Sequence, residues 1–454
     1  MKKYDVIVIG AGDVGLGIVF RAASNGRNVA LIDKGDAGGT CINSGCVPSK
    51  TLIYTADRIT EIREADRFGI SAIIDNIDFR AVMGRMHHAV KSGRDAVMKS
   101  LAETEGLDFI RGAGHFLDSN TLDVKGRKIR GKKIFIASGA RPSIPAIKGL
   151  EDDGYLTNET VLGLERKPKS LIIIGGGYIG LEYAHFFSAL GTKVTVVQRG
   201  LMLLPTEEPE ISEILKTGIK RRIELLMECE PAEVKQTEKG CVLTVKNTSS
   251  GEVREIAAEK LMLAAGRISN ADLLRVRDAG IETDERGFVK INDFLQTNLR
   301  HIWAAGDATG RAMFTHAGDK AAELAWHNAM HRKKIRMDFA SVPHAVFTCP
   351  QVASVGLTEQ AAAKDHDILV GRALYSDIVM GEAMMEEEGI AKAIVEKKTG
   401  RILGFHIIGP HASILIQEVV NVINRKNGLK ELTGSMHIFP ALSNIVVETL
   451  DNLE

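Results

Sequence analysis

Residues 4–35 read YDVIVIGAGDVGLGIVFRAASNGRNVALIDKG, and residues 170–200 read SLIIIGGGYIGLEYAHFFSALGTKVTVVQRG. Each runs as an apolar strand, a glycine-rich turn, an amphipathic helix and a second apolar strand, which is the pattern of one βαβ unit. Their glycines coincide as Gly10, Gly12, Gly15 and Gly175, Gly177, Gly180. One G-x-G-x-x-G could be a bland turn in a glycine-rich chain. Two copies, each between a strand and a helix, point to paired dinucleotide sites. The first glycine permits a tight turn, the second lets a pyrophosphate approach the backbone, and the third lets helix pack on strand. The amino end of the helix then offers free N–H groups and positive dipole to the phosphates.

The residue ending the second strand of such a unit reads the ribose. In the first unit it is Asp33, whose carboxylate suits two ribose hydroxyls. In the second unit the same offset lands on Gln198, followed by Arg199. The two sites are therefore expected to hold different nucleotides. A neutral Gln198 with a neighbouring arginine tolerates a 2′-phosphate that a carboxylate would repel, which favours NADPH over NADH.

At 454 residues, and roughly 150 residues per domain, the chain suggests about three domains. Lys plus Arg balance Asp plus Glu at 58 each, so bulk electrostatics give no reason to expect nucleic acid as a partner. Five cysteines are too few for a secreted disulfide framework, which makes a reducing compartment the default. Met1-Lys2-Lys3 resembles the start of a signal peptide, but the apolar run Val6 to Ile9 stops at Gly10, well short of a signal core. No stretch approaches the ~20 apolar residues of a membrane span. The expectation is a soluble, cytoplasmic protein without a membrane partner.

Between the units, residues 78–104 have helical spacing through Met83, Val90, Val97 and Leu101. His87 and His88 point about 100° apart on such a helix and cannot both face one ion. No metal site is expected there. A polar helical stretch follows Gly200, then strands ending at LAAGR, 263–267. Beyond about residue 340, runs such as AKAIVEKK and ILGFHIIG alternate with helices and lack a glycine fingerprint, which reads as a separate α+β domain.

The segment GGTCINSGCVPSK, 38–50, carries Cys41 and Cys46. Extended chain would hold them roughly 17 Å apart at ~3.4 Å per residue, whereas a disulfide needs Cα atoms within about 7 Å. The segment must coil, and Gly45 with Asn43 allows it. Pro48 fits the first turn of a following helix, so Cys46 is expected near a positive helix end with Lys50 one turn on, a setting that favours a thiolate. Two unpaired buried cysteines or half of a zinc site are the other readings, although no second Cys/His group stands at metal spacing. Cys229, Cys241 and Cys349 lack such a setting and read as core or surface thiols.

These residues resemble the pyridine nucleotide–disulfide oxidoreductases, the flavoprotein family of dihydrolipoyl dehydrogenase, glutathione reductase and mercuric reductase. The resemblance covers essentially the whole chain. TNLRHIWAAGDATG (297–310) is similar to the family's second FAD motif, IFIASGARP and LAAGRISN to its crossover segments, and VFTCPQVASVGLTE (347–360) to the opening of its dimerisation domain. The implied fold is α/β, with two Rossmann-like dinucleotide-binding domains for FAD and NAD(P) and a C-terminal α+β dimerisation domain. The implied boundaries are 1–149 plus 268–338 for FAD, 150–267 for NAD(P) and 339–454 for the interface of a homodimer. The implied catalytic set is Cys41, Cys46, Lys50 and Glu182, with Lys50 and Glu182 paired beside the flavin. The implied cofactor-binding set is Gly10, Gly12, Gly15, Asp33, Lys50, Gly114, Gly139, Asp307 and Thr315, with Gly175, Gly177, Tyr178, Gly180, Gln198, Arg199 and Gly266. Asp307 would bond the ribityl chain, and Tyr178 would lie over the flavin where nicotinamide docks.

One departure bears on substrate. The family's disulfide reductases carry a His-x-His-Pro segment whose second His is held by a Glu five residues on, a dyad supplied by the partner subunit. This chain has His437-Ile438-Phe439-Pro440, with Asn444 at the carboxylate position. Phenylalanine has no proton to move. Mercuric reductase also lacks the dyad, but Ala441 stands where its tyrosine is expected and no cysteine pair ends this chain. The readings are an NAD(P)H-dependent FAD disulfide oxidoreductase acting on a small-molecule or protein-borne disulfide, a mercuric or other metal-ion reductase using the same dithiol, and a non-turning FAD-binding subunit of a larger complex.

Overall fold

Strands Lys2–Ile9 and Val29–Asp33 pair in parallel with Val6 opposite Val29 and Ile9 opposite Ile32. This register brings the turn at Gly10 beside the strand end, and Gly10 N–H donates to Ile32 O at 2.8 Å. In the computed structural model of the chain the pair belongs to a seven-stranded sheet. Leu107–Arg111 lies outside Val29–Asp33, and Arg127–Ile136 lies on the other side of Lys2–Ile9. Ile302–Ala304 joins Arg127–Ile136 in parallel, so residues far along the chain complete the first domain. The structure describes residues 1–150, 154–423, 425 and 427–454; the stretch directly after the expected 149/150 boundary lies outside the described residues.

The second unit repeats this geometry. Ser170–Ile174 pairs in parallel with Lys193–Val197 and with Lys260–Leu263, and Gly175 N–H donates to Val197 O at 2.9 Å. Both first glycines adopt left-handed φ, +110° at Gly10 and +116° at Gly175. A Cβ there would stand 2.1 Å from Ala137 O and 2.3 Å from Ala264 O. Both third glycines touch the first one's carbonyl, since a Cβ on Gly15 or Gly180 would come within 2.0 Å of it. Only glycine fits these four positions. Strands such as VIVI and LIII are apolar on both faces because helices cover both sides of a parallel sheet.

Beyond residue 340 a five-stranded antiparallel sheet runs in the order 344–346, 351–356, 401–409, 390–396, 368–374, with helices Ala412–Val420 and Asn444–Asp451 packed on it. The helix Phe79–Ala102 buries Met83, Val90 and Leu101. One hydrophobic cluster joins all three domains, with Leu52, Ala56 and Met83 beside Leu181 and Phe186 of the second unit and Val346 and Ile408 of the third. The site lies along this junction. Among the described residues no helix is long and apolar enough to cross a membrane.

Candidate active site at the domain junction

Cys41 lies in the short helix Gly39–Ser44, and Cys46 opens the helix Cys46–Arg63; the two meet at Gly45. Asn43 holds the first turn by donating to Ala37 O and Gly39 O, and Arg94 Nε donates to Asn43 Oδ1 at 3.0 Å. The chain coils as the spacing requires. Both cysteines are free thiols in this structure. A hydrogen bond from Cys41, helped by Thr315 and the charge of Lys50, brings Cys46 down to about 6 against the opposing effect of burial. Cys41 is raised, first by that bond and then by burial. One thiol is thus prepared as the thiolate and the other as its proton-bearing partner. Thr315, first residue of the helix Thr315–Met330, places its hydroxyl 3.3 Å from Cys46 Sγ.

The two cysteines line a cavity with Lys50, Tyr178, Glu182, Gly139, Asp307 and Thr315. Lys50 Nζ meets both oxygens of Glu182 at 2.8 Å, although the residues are 132 positions apart. Tyr178 opens the second fingerprint helix, and its ring packs against Phe314 and His344 at 5.6 and 5.8 Å. A second cavity at the end of the sheet is lined by Gly10, Asp33 and Gly114. Asp33 accepts from Ala11 N at 2.6 Å and from Gly35 N at 2.7 Å.

A flavin dinucleotide fits these residues. Ser138 Oγ and Arg267 Nε are buried without a hydrogen-bond partner along the two cavities, and such atoms call for an acceptor or donor from a ligand. Arg267 Nε stands 3.6 Å from Asp307, whose carboxyl burial pushes up while that arginine opposes the rise. The sequence reading singled out neither Ser138 nor Arg267, although both lie in the crossover segments IFIASGARP and LAAGRISN, and it missed Phe314, which no motif marks.

Apart from Tyr178 and its helix, the second fingerprint lies outside these cavities. Gly175, Gly177, Gln198, Arg199 and Gly266 are not among the residues lining either cavity. A Cβ on Gly177 would meet nothing within 4 Å, so the backbone is open to a phosphate there. Gln198 Oε1 accepts from Gly176 N at 3.0 Å and its Nε2 donates to Met202 O at 2.9 Å. Arg199 is exposed, 3.9 Å from Glu230.

Residues 4–330 match the profile described as pyridine nucleotide-disulphide oxidoreductase, and residues 342–450 match that family's dimerisation domain. The chain belongs to this family. Its members use FAD and NAD(P)H, and the chain is a flavoprotein disulfide oxidoreductase of the two-Rossmann-domain fold. Curated relatives include a mercuric reductase of Lysinibacillus sphaericus, 34% identical over 96% of this chain and 80% of the relative. A dihydrolipoyl dehydrogenase of Chlamydia trachomatis is 33% identical over 99% and 96%, and a mycothione reductase of Mycobacterium tuberculosis 34% over 99% of each. Among solved structures, the Cu(II) complex of the HOCl-induced flavoprotein disulfide reductase RclA of Escherichia coli superposes with a TM-score of 0.88 at 29% identity, covering 99% of each chain.

At the carboxyl end, Phe439 is exposed in the single chain. Asn444 turns inward on the backbone, accepting from Ala441 N at 2.9 Å and donating to Ile438 O at 3.1 Å. His437 pairs with Glu418 at 2.6 Å, a contact the sequence reading did not foresee.

Proposed function

We propose that this flavoprotein carries electrons from NADPH to an acceptor through Cys46 and Cys41, and that the acceptor is a disulfide whose exchange needs little help from a general acid. The dithiol setting carries this reading: a lowered thiol at a helix N-terminus, a raised partner thiol, and the Lys50–Glu182 pair in one cavity. Bound FAD would supply the hydride acceptor for the nicotinamide and the two-electron donor for the Cys41–Cys46 disulfide. Lys50 holds positive charge near Cys46. Thr315 steadies the Cys46 thiolate, and Cys41 exchanges with substrate as its proton passes along their hydrogen bond to Cys46. The balance is NADPH, one proton and a disulfide giving NADP⁺ and two thiols. A reducing cytoplasm and a homodimer suit this chemistry.

A second reading, reduction of a thiophilic metal ion held by the same dithiol, is favoured by Phe439 and Asn444, which supply neither base nor carboxylate. It also agrees with the mercuric reductases and the Cu(II)-bound reductase among the similar proteins. Anaerobic titration with NADPH, followed by a screen of disulfides and of mercuric and cupric ions, separates the readings. Reoxidation by metal ions alone would replace the first with the second. Reduction of neither flavin nor dithiol would sink both.

A further inference from the structure

Behind Tyr178 a buried polar chain crosses from the second domain to the third. His344 Nε2 meets Glu207 Oε1, Ser354 Oγ meets Glu207 Oε2 at 2.5 Å, and His406 Nδ1 meets Ser354 Oγ at 3.0 Å. His406 Nε2 meets the carbonyl oxygen of Leu357 at 3.0 Å. Glu207, Ser354 and His406 are all buried. Each of these four contacts needs one hydrogen between its heavy atoms. An ionised Glu207, a serine hydroxyl and two neutral imidazoles supply only three. A second hydrogen on His344 would sit on Nδ1, outside the chain, and Leu357 O can only accept. The missing hydrogen must lie between Glu207 and His406.

We propose that Glu207, Ser354 and His406 share one proton, and that this unit, through His344, is a positioning device for Tyr178 at the mouth of the flavin cavity. The proton has two resting places. With a Glu207 carboxylic acid, Glu207 donates to Ser354 and Ser354 donates to His406 Nδ1. As the acid hydrogen passes to Ser354 Oγ, the serine's own hydrogen passes to Nδ1, leaving a carboxylate and an imidazolium. Both forms are neutral overall, the arrangement a buried site favours. Burial holds His406 toward its neutral form. It also pushes Glu207 up, but the contacts with His344 and Ser354 outweigh that and hold the carboxyl below its usual range. Taken separately the two groups are one hydrogen short, and sharing it satisfies all four contacts. Other charges near the unit are Glu208, and Lys392 at 3.3 Å from it, with Glu210 and Glu359 around that lysine and Arg372 paired to both.

The link to Tyr178 is direct. Its hydroxyl stands 3.2 Å from Thr206 Oγ1 and 3.5 Å from Glu207 Oε1. Its ring, Phe314 and His344 form a three-ring cluster with the Phe314–His344 centroids 5.5 Å apart. Glu207 anchors the His344 ring of that cluster from behind. Treating Tyr178 as a neighbour of the nicotinamide rests on the proposed function; the proton count does not.

The test uses the FAD-loaded full-length enzyme with ¹⁵N-labelled histidine. His406 resonances are identified by their loss in His406→Gln. At pH 8 the wild type is expected to show either both ring nitrogens protonated or a carboxylic-acid infrared band that vanishes in Glu207→Gln. In Glu207→Gln the amide itself donates to Ser354, so His406 Nδ1 should carry no hydrogen and folding should be kept. A singly protonated ring beside an ionised Glu207 in the wild type overturns the shared proton. For positioning, anaerobic rapid mixing gives the half-saturation and limiting rate of flavin reduction by NADPH. His344→Ala should shift half-saturation by about threefold to tenfold, the scale of one aromatic contact, with little change in limiting rate. His344→Phe keeps a ring but loses the tie to Glu207, so it should restore only part of it, and full restoration would show that the ring works without the unit. Equal values in wild type and both variants overturn the positioning role. A wild type that NADPH does not reduce would instead defeat the proposed function, leaving the proton count to stand or fall on the spectra.

Discussion

Lys50 Nζ donates to both carboxylate oxygens of Glu182 at 2.8 Å, and the same carboxylate accepts the backbone N–H of Phe347 at 3.1 Å. The Phe347 ring lies 4.5 Å from the ammonium, so residues from all three domains converge on one ion pair. The edge strand His344–Val346 contacts Glu207 through His344, and Phe347 directly after it contacts Glu182.

Lys50→Met should therefore cost both stability and rate. It leaves a buried carboxylate with a single N–H donor, and breaking a buried pair costs about 3–5 kcal/mol. The Lys50 side chain keeps 38% exposure against 9% for Glu182, which puts the loss near the lower end. Glu182→Gln, which can still accept from Lys50, should melt closer to wild type while slowing flavin reduction. Thermal melting and anaerobic rapid mixing check this. A Lys50→Met enzyme matching wild type in both would contradict the assignment.

The thiol pair predicts a pH signature. In the anaerobically reduced enzyme, iodoacetamide labelling of Cys46 should rise through about pH 6, where the thiolate forms. Cys41→Ala removes the first cause of the lowering and should move the midpoint up. Spectroscopically, Cys46→Ser should abolish the long-wavelength thiolate-to-flavin absorption of the reduced enzyme, while Cys41→Ser keeps it. Equal loss in both variants would reverse the roles given to the two sulfurs.

The two βαβ units were legible because glycine spacing and apolar periodicity are local, and the coiled dithiol because extended chain could not close it. Contacts across domains were not. Glu207 and His344 lie 137 positions apart, and no periodicity links them. The pairing of Lys50 with Glu182 came only with the family resemblance. Nor does sequence spacing reveal that Asp33 and Gln198 perform the same local task. Each strand-end side chain returns to the N–H directly after its first glycine, Ala11 or Gly176, because the parallel register sets strand end beside turn.

That equivalence sharpens the nucleotide prediction. Gln198 keeps the turn in place without adding a charge at the strand end, so kcat/KM should be higher with NADPH than with NADH. Gln198→Glu preserves the tie to Gly176 N and adds a carboxylate that repels a 2′-phosphate. It should shift the ratio toward NADH by about tenfold or more, and Arg199→Ala should shift it the same way by less. A wild type that prefers NADH, with a ratio unmoved by Arg199→Ala, would show that this strand end does not read the phosphate.

The third domain exposes Ile414, Met436, Ile438 and Phe439 in the single chain, each more than two-thirds accessible. Apolar exposure concentrated in a segment matching the family's dimerisation domain predicts that a second copy covers it. Sedimentation at micromolar concentration should give twice the 49.3 kDa chain mass. A charge pair introduced as Ile438→Glu with Phe439→Lys should shift the protein toward the single-chain mass.

Replacing both members of the acid–base dyad should leave dihydrolipoamide–lipoamide turnover slow while flavin reduction by the nicotinamide stays fast. General acid–base help is commonly worth 10²–10⁴-fold, so the deficit should be of that order. Phe439→His with Asn444→Glu should raise lipoamide turnover, and Phe439→His alone should do less, because nothing would hold the imidazole. The structure adds a cost to the double change. Asn444 uses its amide to accept from Ala441 N and donate to Ile438 O, fastening the turn that presents Phe439. A glutamate keeps an acceptor but loses the donor, so the rebuilt dyad should recover only part of the factor. An unmodified enzyme that already turns over lipoamide as fast as NADPH reduces it would show that another group moves the proton. His437, held by Glu418 at 2.6 Å, is then the residue to replace, and His437→Gln should slow the exchange without slowing flavin reduction.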